Sequence, residues 1–270
     1  MFYLPQRSFI ALVLLGPIAC VLPLKSSRAH RPFEFLQVYR VSPSNGVDHE
    51  VDLQSVLDQD RCESRLLGPR HFSETVGCLD RPASTPDAYL NWYQIADPGP
   101  APQRRVTVID LVRGGANSEL KIGQAEFLLC PAQRIVSGPP HPIPAGLDHY
   151  VAFKVIQPVE MQIGVDVQSA GGTQRRILTR PIYCCVSTRQ WHHSQFIDST
   201  HPRDCFVVYQ LDAQGIDVKL STIDQFGLNR LQATESNWLC VLGSLVTPDP
   251  SDSVDSASPS DPTVPPDLSR

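Results

Sequence analysis

The densest set of residues that could do chemistry lies between positions 184 and 205. It combines thiols, imidazoles and carboxylates, which are the ligands that zinc and copper take in proteins. The set consists of Cys184, Cys185, Trp191, His192, His193, Asp198, His201, Asp204 and Cys205. Its spacing matches no established ligand pattern, so the sequence favours exposed loop histidines over a metal site. The weak metal candidates are His192, His193, Asp198 and His201.

Trp191 is the best single candidate for contact with a ligand. It precedes two histidines in a polar loop, whereas Trp92 and Trp238 sit inside apolar runs that favour core packing. A flat indole suits the face of a sugar or a protein interface. The loop at 187–204 is therefore the place where binding is expected.

Catalytic signatures are absent from the sequence. There is no G-x-S-x-G nucleophile elbow and no histidine motif of a metalloprotease. A carboxylate pair for glycoside cleavage stays open, because its members come from distant positions. Glu126 and Asp224 are only nominal candidates, and Asp224 is better explained as a turn former. We predict no catalytic residue and no cofactor.

Seven cysteines follow the leader, an odd number that leaves at least one thiol unpaired. One candidate disulfide joins Cys62 to Cys78. A second joins Cys185, or its neighbour Cys184, to Cys205, and would close a loop of about 20 residues that contributes on the order of 3 kcal/mol. The competing interpretation is that these cysteines are small buried apolar residues.

An apolar leader opens the chain. Residues 8–24 are rich in Leu, Ile, Val and Ala, Arg7 provides a positive flank, and a small-residue cleavage point follows Ala29. This pattern predicts a signal peptide over residues 1–29 and a secreted, periplasmic or cell-envelope location. The alternative is a lipoprotein with Cys20 lipidated. No later segment is apolar enough for a transmembrane anchor.

The formal net charge of −5 argues against nucleic-acid binding, because no basic stripe is available for phosphates. An extracellular protein or a glycan is the expected partner. The oligomeric state stays open.

Four stretches share one pattern of an aromatic strand, a second strand ending at a polar turn, and an apolar run that closes on a cysteine. The aromatic anchors are 54, 60 and 56 positions apart (93−39, 153−93, 209−153), and the cysteines 52, 55 and 55 (130−78, 185−130, 240−185). The anchors are Tyr39 with Cys78, Tyr93 with Cys130, Phe153 with Cys185, and Tyr209 with Cys240. A fixed period of this size predicts four degenerate repeats of about 55 residues.

The repeats predict an all-β fold. Short runs of β-branched and aromatic residues alternate with turn residues, and no segment of useful length has helical periodicity. We expect the four units to pair into two small β-barrel or β-sandwich domains, over residues 30–136 and 148–246. A Pro-rich linker over residues 137–147 separates them, and residues 247–270 are a disordered Pro, Ser and Asp tail. A four-bladed propeller fits the unit count, but three strands per unit are fewer than a blade uses.

The fourth unit resembles an uncharacterised repeat domain of secreted bacterial proteins, whose units read H-Y-x-C-Y, then D-Q-F, then L-C-x-P. Residues 224–226 read D-Q-F, residues 149–150 read H-Y, and residues 129–131 read L-C-P. The cysteine that precedes the aromatic residue in the family is replaced by Val38, Trp92, Ala152 and Val208. The intra-unit disulfide that the family pattern implies is therefore absent from all four units.

The family has no assigned activity, so the resemblance implies fold and export but no catalytic residue. Together with the repeated strands, it predicts a secreted or envelope-associated, non-catalytic β-repeat protein with a binding or structural role. The alternative is an extracellular hydrolase, or a metal-binding protein, with its site in the loop 187–204.

Overall fold

A computed structural model of the 270-residue chain describes residues 33–43, 48–83, 87–98, 103–136, 140 and 142–246. The predicted leader and the predicted tail lie outside the described residues. No helix of the described part is long and apolar enough to cross a membrane. The described residues form twelve strands, as the all-β prediction requires: β1 (Phe35–Pro43), β2 (His49–Ser55), β3 (Cys62–Thr75), β4 (Tyr89–Ala96), β5 (Arg104–Asp110), β6 (Asn117–Ile135), β7 (Tyr150–Val155), β8 (Ile163–Ser169), β9 (Gly172–His192), β10 (Gln195–Ile197), β11 (Asp204–Asp224) and β12 (Gly227–Val246).

Eight of these strands pair antiparallel in a ring that closes on itself. β1 pairs with β3, β3 with β4, β4 with β6, and β6 with β7. The ring continues from β7 to β9, β11 and β12, and β12 pairs back with β1. Closure of this kind removes the unpaired edges that an open sheet presents.

Four hairpins extend from the ring, because β3, β6, β9 and the pair β11 and β12 continue beyond the residues that pair within the ring. The first halves of β3, β6, β9 and β12 pair with β2, β5, β8 and the second half of β11. Each hairpin also reaches a strand two units away: β2 pairs with β9, β5 with β12, and β11 with β6, while Gln168 of β8 bridges to Gly77 just after β3. The hairpins therefore join units that are not neighbours in the ring.

One hydrophobic cluster fills the inside of the ring. Among the strands, it takes residues only from ring strands and none from β2, β5 or β8. β3 contributes His71 and Ser73 to the same face; His71 packs against Trp92, and the Trp92 indole N–H donates to Ser73 Oγ at 3.2 Å. Trp92 is fully buried and Trp238 packs against this cluster, as their apolar surroundings predicted.

Four ring-facing aromatic side chains contact one another in a circle within this cluster. His71, Phe127, Tyr183 and Trp238 are 56, 56 and 55 positions apart (127−71, 183−127, 238−183). Their ring centroids are separated by 5.2, 5.6 and 5.3 Å in that order, and by 4.1 Å from Trp238 back to His71. The sequence period thus reappears as a closed circle of contacts, which we call the aromatic circle.

A second, larger cluster lies on the opposite face of the ring strands. It joins Tyr93, Leu128 and Tyr209 of the ring to buried residues of the hairpins, such as Val108 and Val167. β5 and β2 alternate buried and partly exposed side chains along their lengths, as expected of strands with one covered face. The hairpins thus cover the outer face of the ring.

The predicted division into two separate β domains is not what the sheet shows. The segment 137–147 connects β6 to β7, and these strands pair with each other. Strands from before it and after it also pair at β1 with β12 and at β2 with β9. The described residues all fall in one contact unit. The hairpins that reach two units away are the physical reason, because they interleave the two halves.

Candidate functional site

The predicted loop residues fall at the end of β9 and in the segment that follows it. Trp191 is half-buried in β9, stacks on Phe196 of β10 at 4.9 Å, and has the Arg61 guanidinium 3.8 Å from its ring centroid. A cation over an indole face is attracted by the ring quadrupole. Trp191 is therefore held between two neighbours and is still partly accessible.

His192 and His193 belong to a partly exposed group of rings. The His192 centroid lies 4.2 Å from His193, 5.9 Å from His49 and 5.1 Å from Phe226, and His49 stacks on Phe226 at 4.4 Å. Burial lowers the pKa of His192, and the neighbouring His193 and His49 lower it further. Burial also lowers the pKa of His49, against the opposing effect of Asp48. We call these residues the histidine–aromatic patch, and include Trp191, which lies on the opposite face of the same strand end.

Asp198 and His201 lie apart from this patch. Asp198 accepts a hydrogen bond from the Arg189 guanidinium at 2.8 Å. His201 Nδ1 faces Thr200 Oγ1 at 2.8 Å and lies 3.9 Å from the Asp148 carboxylate. The four predicted metal candidates are thus split among three places. No group of three or more His, Cys, Asp or Glu side chains suited to a metal occurs in the described part of the chain.

Asp148, which the sequence did not single out, anchors the loop after β10. Its carboxylate accepts hydrogen bonds from Ser187 Oγ at 3.3 Å, Ser199 Oγ at 3.4 Å, Thr200 Oγ1 at 2.5 Å and the His201 backbone N–H at 2.7 Å. Serine, histidine and aspartate here resemble a hydrolase triad in composition. Ser187 is fully buried, however, and a substrate has no access to it. The arrangement fixes the loop.

A second polar network, with long-range partners, surrounds Asp224 at the turn between β11 and β12. Asp224 closes the turn by accepting from the Phe226 backbone N–H at 2.8 Å, as its turn-former interpretation predicted. It also accepts from Asn91 Nδ2 at 2.6 Å, Tyr93 Oη at 2.7 Å and Asn229 Nδ2 at 3.3 Å. Burial raises the pKa of Asp224, and hydrogen bonds from Asn91 and Tyr93 oppose that rise. Tyr93 lies 131 positions away, so local sequence signals could not reveal the contact.

Gln225 brings the three resemblance motifs together. Its Nε2 donates to Gln190 Oε1 at 2.8 Å and lies 3.7 Å from Cys130 Sγ, and a side-chain hydrogen bond links it to His149. Burial lowers the pKa of His149 to about 4. The D-Q-F, H-Y and L-C-P segments therefore meet at one buried place. We call Asp224, Gln225 and their partners the turn lock.

A reciprocal contact also joins the second and fourth units. Asp110, at the end of β5 in the second unit, accepts from the Tyr209 hydroxyl of the fourth unit at 2.8 Å. Asp224 of the fourth unit accepts from Tyr93 of the second in the same way. Asp110 also accepts from the Arg113 backbone N–H at 3.0 Å, which shapes its own turn. Each acidic turn residue thus accepts a hydrogen bond from the aromatic anchor of the unit that lies two units away.

Chemically, the turn lock presents no free reactive group. Its carboxylate is surrounded by donors, and the thiol of Cys130 has a pKa raised by burial and by Asp224. Gln225 Oε1 and Gln190 Nε2 are the two buried polar atoms of the lock without a hydrogen-bond partner among the described residues. The geometry holds a hairpin against the ring and does not assemble a nucleophile with a base.

All seven cysteines of the described residues are free. Of the pairings that the sequence suggested, only Cys184 with Cys205 brings two thiols together, and a disulfide between them stays a prediction. Cys62 is the first residue of β3 and Cys78 follows its last, so the 14 residues of the strand separate them by about 40 Å. Cys185 faces the inside of the ring, whereas Cys205 belongs to the outer cluster. Cys184 instead meets Cys205: a hydrogen bond between these thiols and burial raise the pKa of Cys205.

The closing cysteines are not at equivalent positions either. Tyr93 is paired with Leu128, Phe153 with Cys184, and Tyr209 with Leu239. In that register Cys185 and Cys240 occupy the inner face, Cys130 the outer face, and Cys78 lies beyond β3. A one-residue offset moves a side chain to the other face of a sheet.

Cys62 is expected to be the one described thiol that reacts rapidly in the native protein. It is exposed and the other six are buried, and burial raises the pKa of Cys78 to about 11, which disfavours the reactive thiolate. Titration with a chromogenic disulfide reagent should detect one fewer fast-reacting thiol in Cys62→Ser than in the wild type. Six slow thiols should become reactive on unfolding, and fast modification of Cys184 or Cys205 would contradict this.

A family model described as a repeat of unknown function, DUF7450, matches residues 89–242, which is more than half of the 270-residue chain. The match begins at the first residue of β4 and ends within β12, so it includes the turn lock and the histidine–aromatic patch except His49. No curated protein and no solved structure matches the chain. The bacterial and secreted character of the resembling proteins stays a prediction. The chain belongs to the DUF7450 family of repeats of unknown function.

Proposed function

We propose that this protein is a non-catalytic β-repeat protein, exported to the cell envelope or beyond, that binds a glycan or another protein. The observation that carries the proposal is the use of the motif residues. Asp224, Gln225, Cys130 and His149 are all engaged in contacts that hold a hairpin to the ring. Because the motif residues stabilise the fold, we expect binding to involve other, partly exposed residues.

The histidine–aromatic patch is the surface that fits this role. His192, His193 and Phe226 contact one another in it. Trp191, with the cation of Arg61 over its indole, lies beside them on the opposite face of the same strand end. Flat rings with polar edges suit a sugar face or a polar protein surface. Trp191 is fixed by Phe196, so little side-chain entropy is lost when a ligand stacks on it.

The proposal is tested by binding with matched variants. We expect a glycan panel and a panel of purified envelope proteins to include a partner whose affinity falls at least tenfold in Trp191→Ala, because truncating an aromatic contact at an interface removes its stacking area. Val159→Ala is the control, since it truncates an apolar side chain that is 68% exposed outside the patch. Circular dichroism should be unchanged in both variants. Equal losses in the two variants would contradict the assignment of the patch.

The hydrolase alternative predicts a different outcome. Incubation with glycans, esters and peptides would give reproducible turnover that disappears in His192→Ala, His193→Ala or Asp198→Ala. Such turnover would overturn the non-catalytic proposal. Export is tested separately, since the mass of the protein recovered from its producing cell would show whether residues 1–29 have been removed.

A further inference from the structure

A cavity of about 560 Å³ lies between the β2–β3 turn and the strands β4, β6 and β7. Its apolar part is formed by side chains such as Leu53, Ile95, Val151 and Phe153, three of which are buried to 95% or more. Its polar part is formed by the turn that begins at Asp58. The volume is within the range of about 300–1,000 Å³ that is typical of small-molecule sites.

The cavity lies where the reciprocal contact of the second and fourth units has no counterpart. Ser55 is the counterpart of Asp110: each is the last residue of its strand, and their partners Thr188 and Gly243 are 55 positions apart (243−188). Phe153, the aromatic anchor of the third unit, has no hydroxyl to donate, whereas Tyr93 and Tyr209 donate to Asp224 and Asp110. Ser55 and Phe153 both line the cavity. The space therefore remains open where two other units are bound together.

Both cations that line the cavity are already engaged. Arg104 pairs with the Asp58 carboxylate at 2.7 Å and donates to the Leu57 carbonyl at 2.7 Å. Arg61 lies over the Trp191 ring. An anionic ligand would have to displace one of these contacts.

The carboxylates at the cavity exceed those cations. Asp60, Glu63 and Asp97 are exposed lining residues, and none of them has an ion-pair partner among the residues that the structure describes. With Asp58 they give four carboxylates against two guanidinium groups, an excess of two negative charges (4−2). Negative potential beside low-dielectric walls concentrates small cations.

We propose that this cavity binds a small organic cation, consisting of an ammonium group attached to an apolar body. The apolar body packs on Phe153, Ile95 and Leu53, and the ammonium group faces Asp60, Glu63 and Asp97. The site contains none of the rings of the histidine–aromatic patch, although Arg61 borders both. It goes beyond the proposed function, so each can fail without the other.

The test compares three probes of one shape: 2-phenylethylamine, 2-phenylethanol and 3-phenylpropanoate. Calorimetry and ligand-observed NMR should show saturable binding of the amine, at least tenfold tighter than the alcohol, and weakest binding of the carboxylate. The double variant Glu63→Gln/Asp97→Asn should weaken the amine at least tenfold. Asp166→Asn is the control, because it neutralises an exposed carboxylate that is paired with Arg175 outside the cavity.

A second variant tests the origin of the cavity. Phe153→Tyr adds the hydroxyl that the other units use, and should weaken amine binding at least tenfold while raising the thermal midpoint. Equal affinity for amine and alcohol, tighter binding of the carboxylate, or no saturable binding of any probe at millimolar concentration would overturn the proposal. Unchanged amine binding in the double variant would overturn it as well.

Discussion

Asp224→Ala is expected to destabilise the protein by about 3–5 kcal/mol, which is a large part of the stability of an ordinary domain. The substitution leaves the Tyr93 hydroxyl and the Asn91 and Asn229 amides without their shared acceptor. Asn91 and Asn229 keep a second acceptor, in Thr222 and Tyr93, but the Tyr93 hydroxyl has no other acceptor among the described residues, and a buried donor left without a partner costs about 1–3 kcal/mol. Loss of the Phe226 backbone contact also loosens the turn that carries the hairpin.

Urea unfolding followed by tryptophan fluorescence measures this effect. Tyr93→Phe removes only one donor and should cost about 1.5–3 kcal/mol, so it remains informative if the alanine variant does not fold. Tyr89→Phe is the matched control, because its hydroxyl donates to the exposed Asp87 at 3.0 Å, and we expect a loss below about 0.5 kcal/mol. Equal losses in the two tyrosine variants would show that the turn lock does not stabilise the fold.

Acidification from neutral pH to pH 4 should lower the free energy of unfolding by about 3 kcal/mol less in His71→Phe than in the wild type. Burial lowers the pKa of His71 to about 3, and the charges of Arg40 and Arg70 act in the same direction. Between pH 6.5 and 3 the unfolded chain binds a proton at this histidine that the folded chain does not, so wild-type stability falls as pH falls. Each pKa unit of difference corresponds to about 1.36 kcal/mol.

The measurement is the free energy of unfolding as a function of pH. Phenylalanine suits the site, because the equivalent positions of the aromatic circle hold Phe127, Tyr183 and Trp238 and His71 Nδ1 has no hydrogen-bond partner among the described residues. Trp238→Phe is the control: it alters the same circle without removing a histidine, so its acid dependence should match wild type. Part of the dependence should persist in His71→Phe through His149, whose pKa burial also lowers. Parallel pH curves for wild type and His71→Phe would contradict the prediction.

The strands were largely predictable because their signals are local. β5 follows the expected alternation of buried and exposed residues. The strand over residues 62–75 was not predicted, since Gly68 and Pro69 are turn residues in most contexts. In the structure Pro69 sits in β3 at a register shift, which is where a sheet tolerates a residue that cannot donate to the ladder.

The candidate site was less predictable because its contacts are long-range. Trp191 and His192 belong to the end of β9, where the sequence suggested a loop, and they are partly exposed there. Nothing local, however, connects them with His49, or Asp224 with Tyr93. The cysteine period also misled the assignment of equivalent positions, because counting along the chain does not detect register shifts such as those near Ala125. The aromatic circle gives the correct alignment only once the pairing is known.

Closure of the ring between β1 and β12 restricts the number of repeats in a way that does not apply to linear repeat proteins. A solenoid can gain or lose a repeat at either end and keep its remaining interfaces. Here the first described strand is the neighbour of the last, so deleting β12 would strip β1 and β11 of a partner at once. The copy number is therefore fixed by geometry, and truncated forms should unfold as a whole instead of shortening.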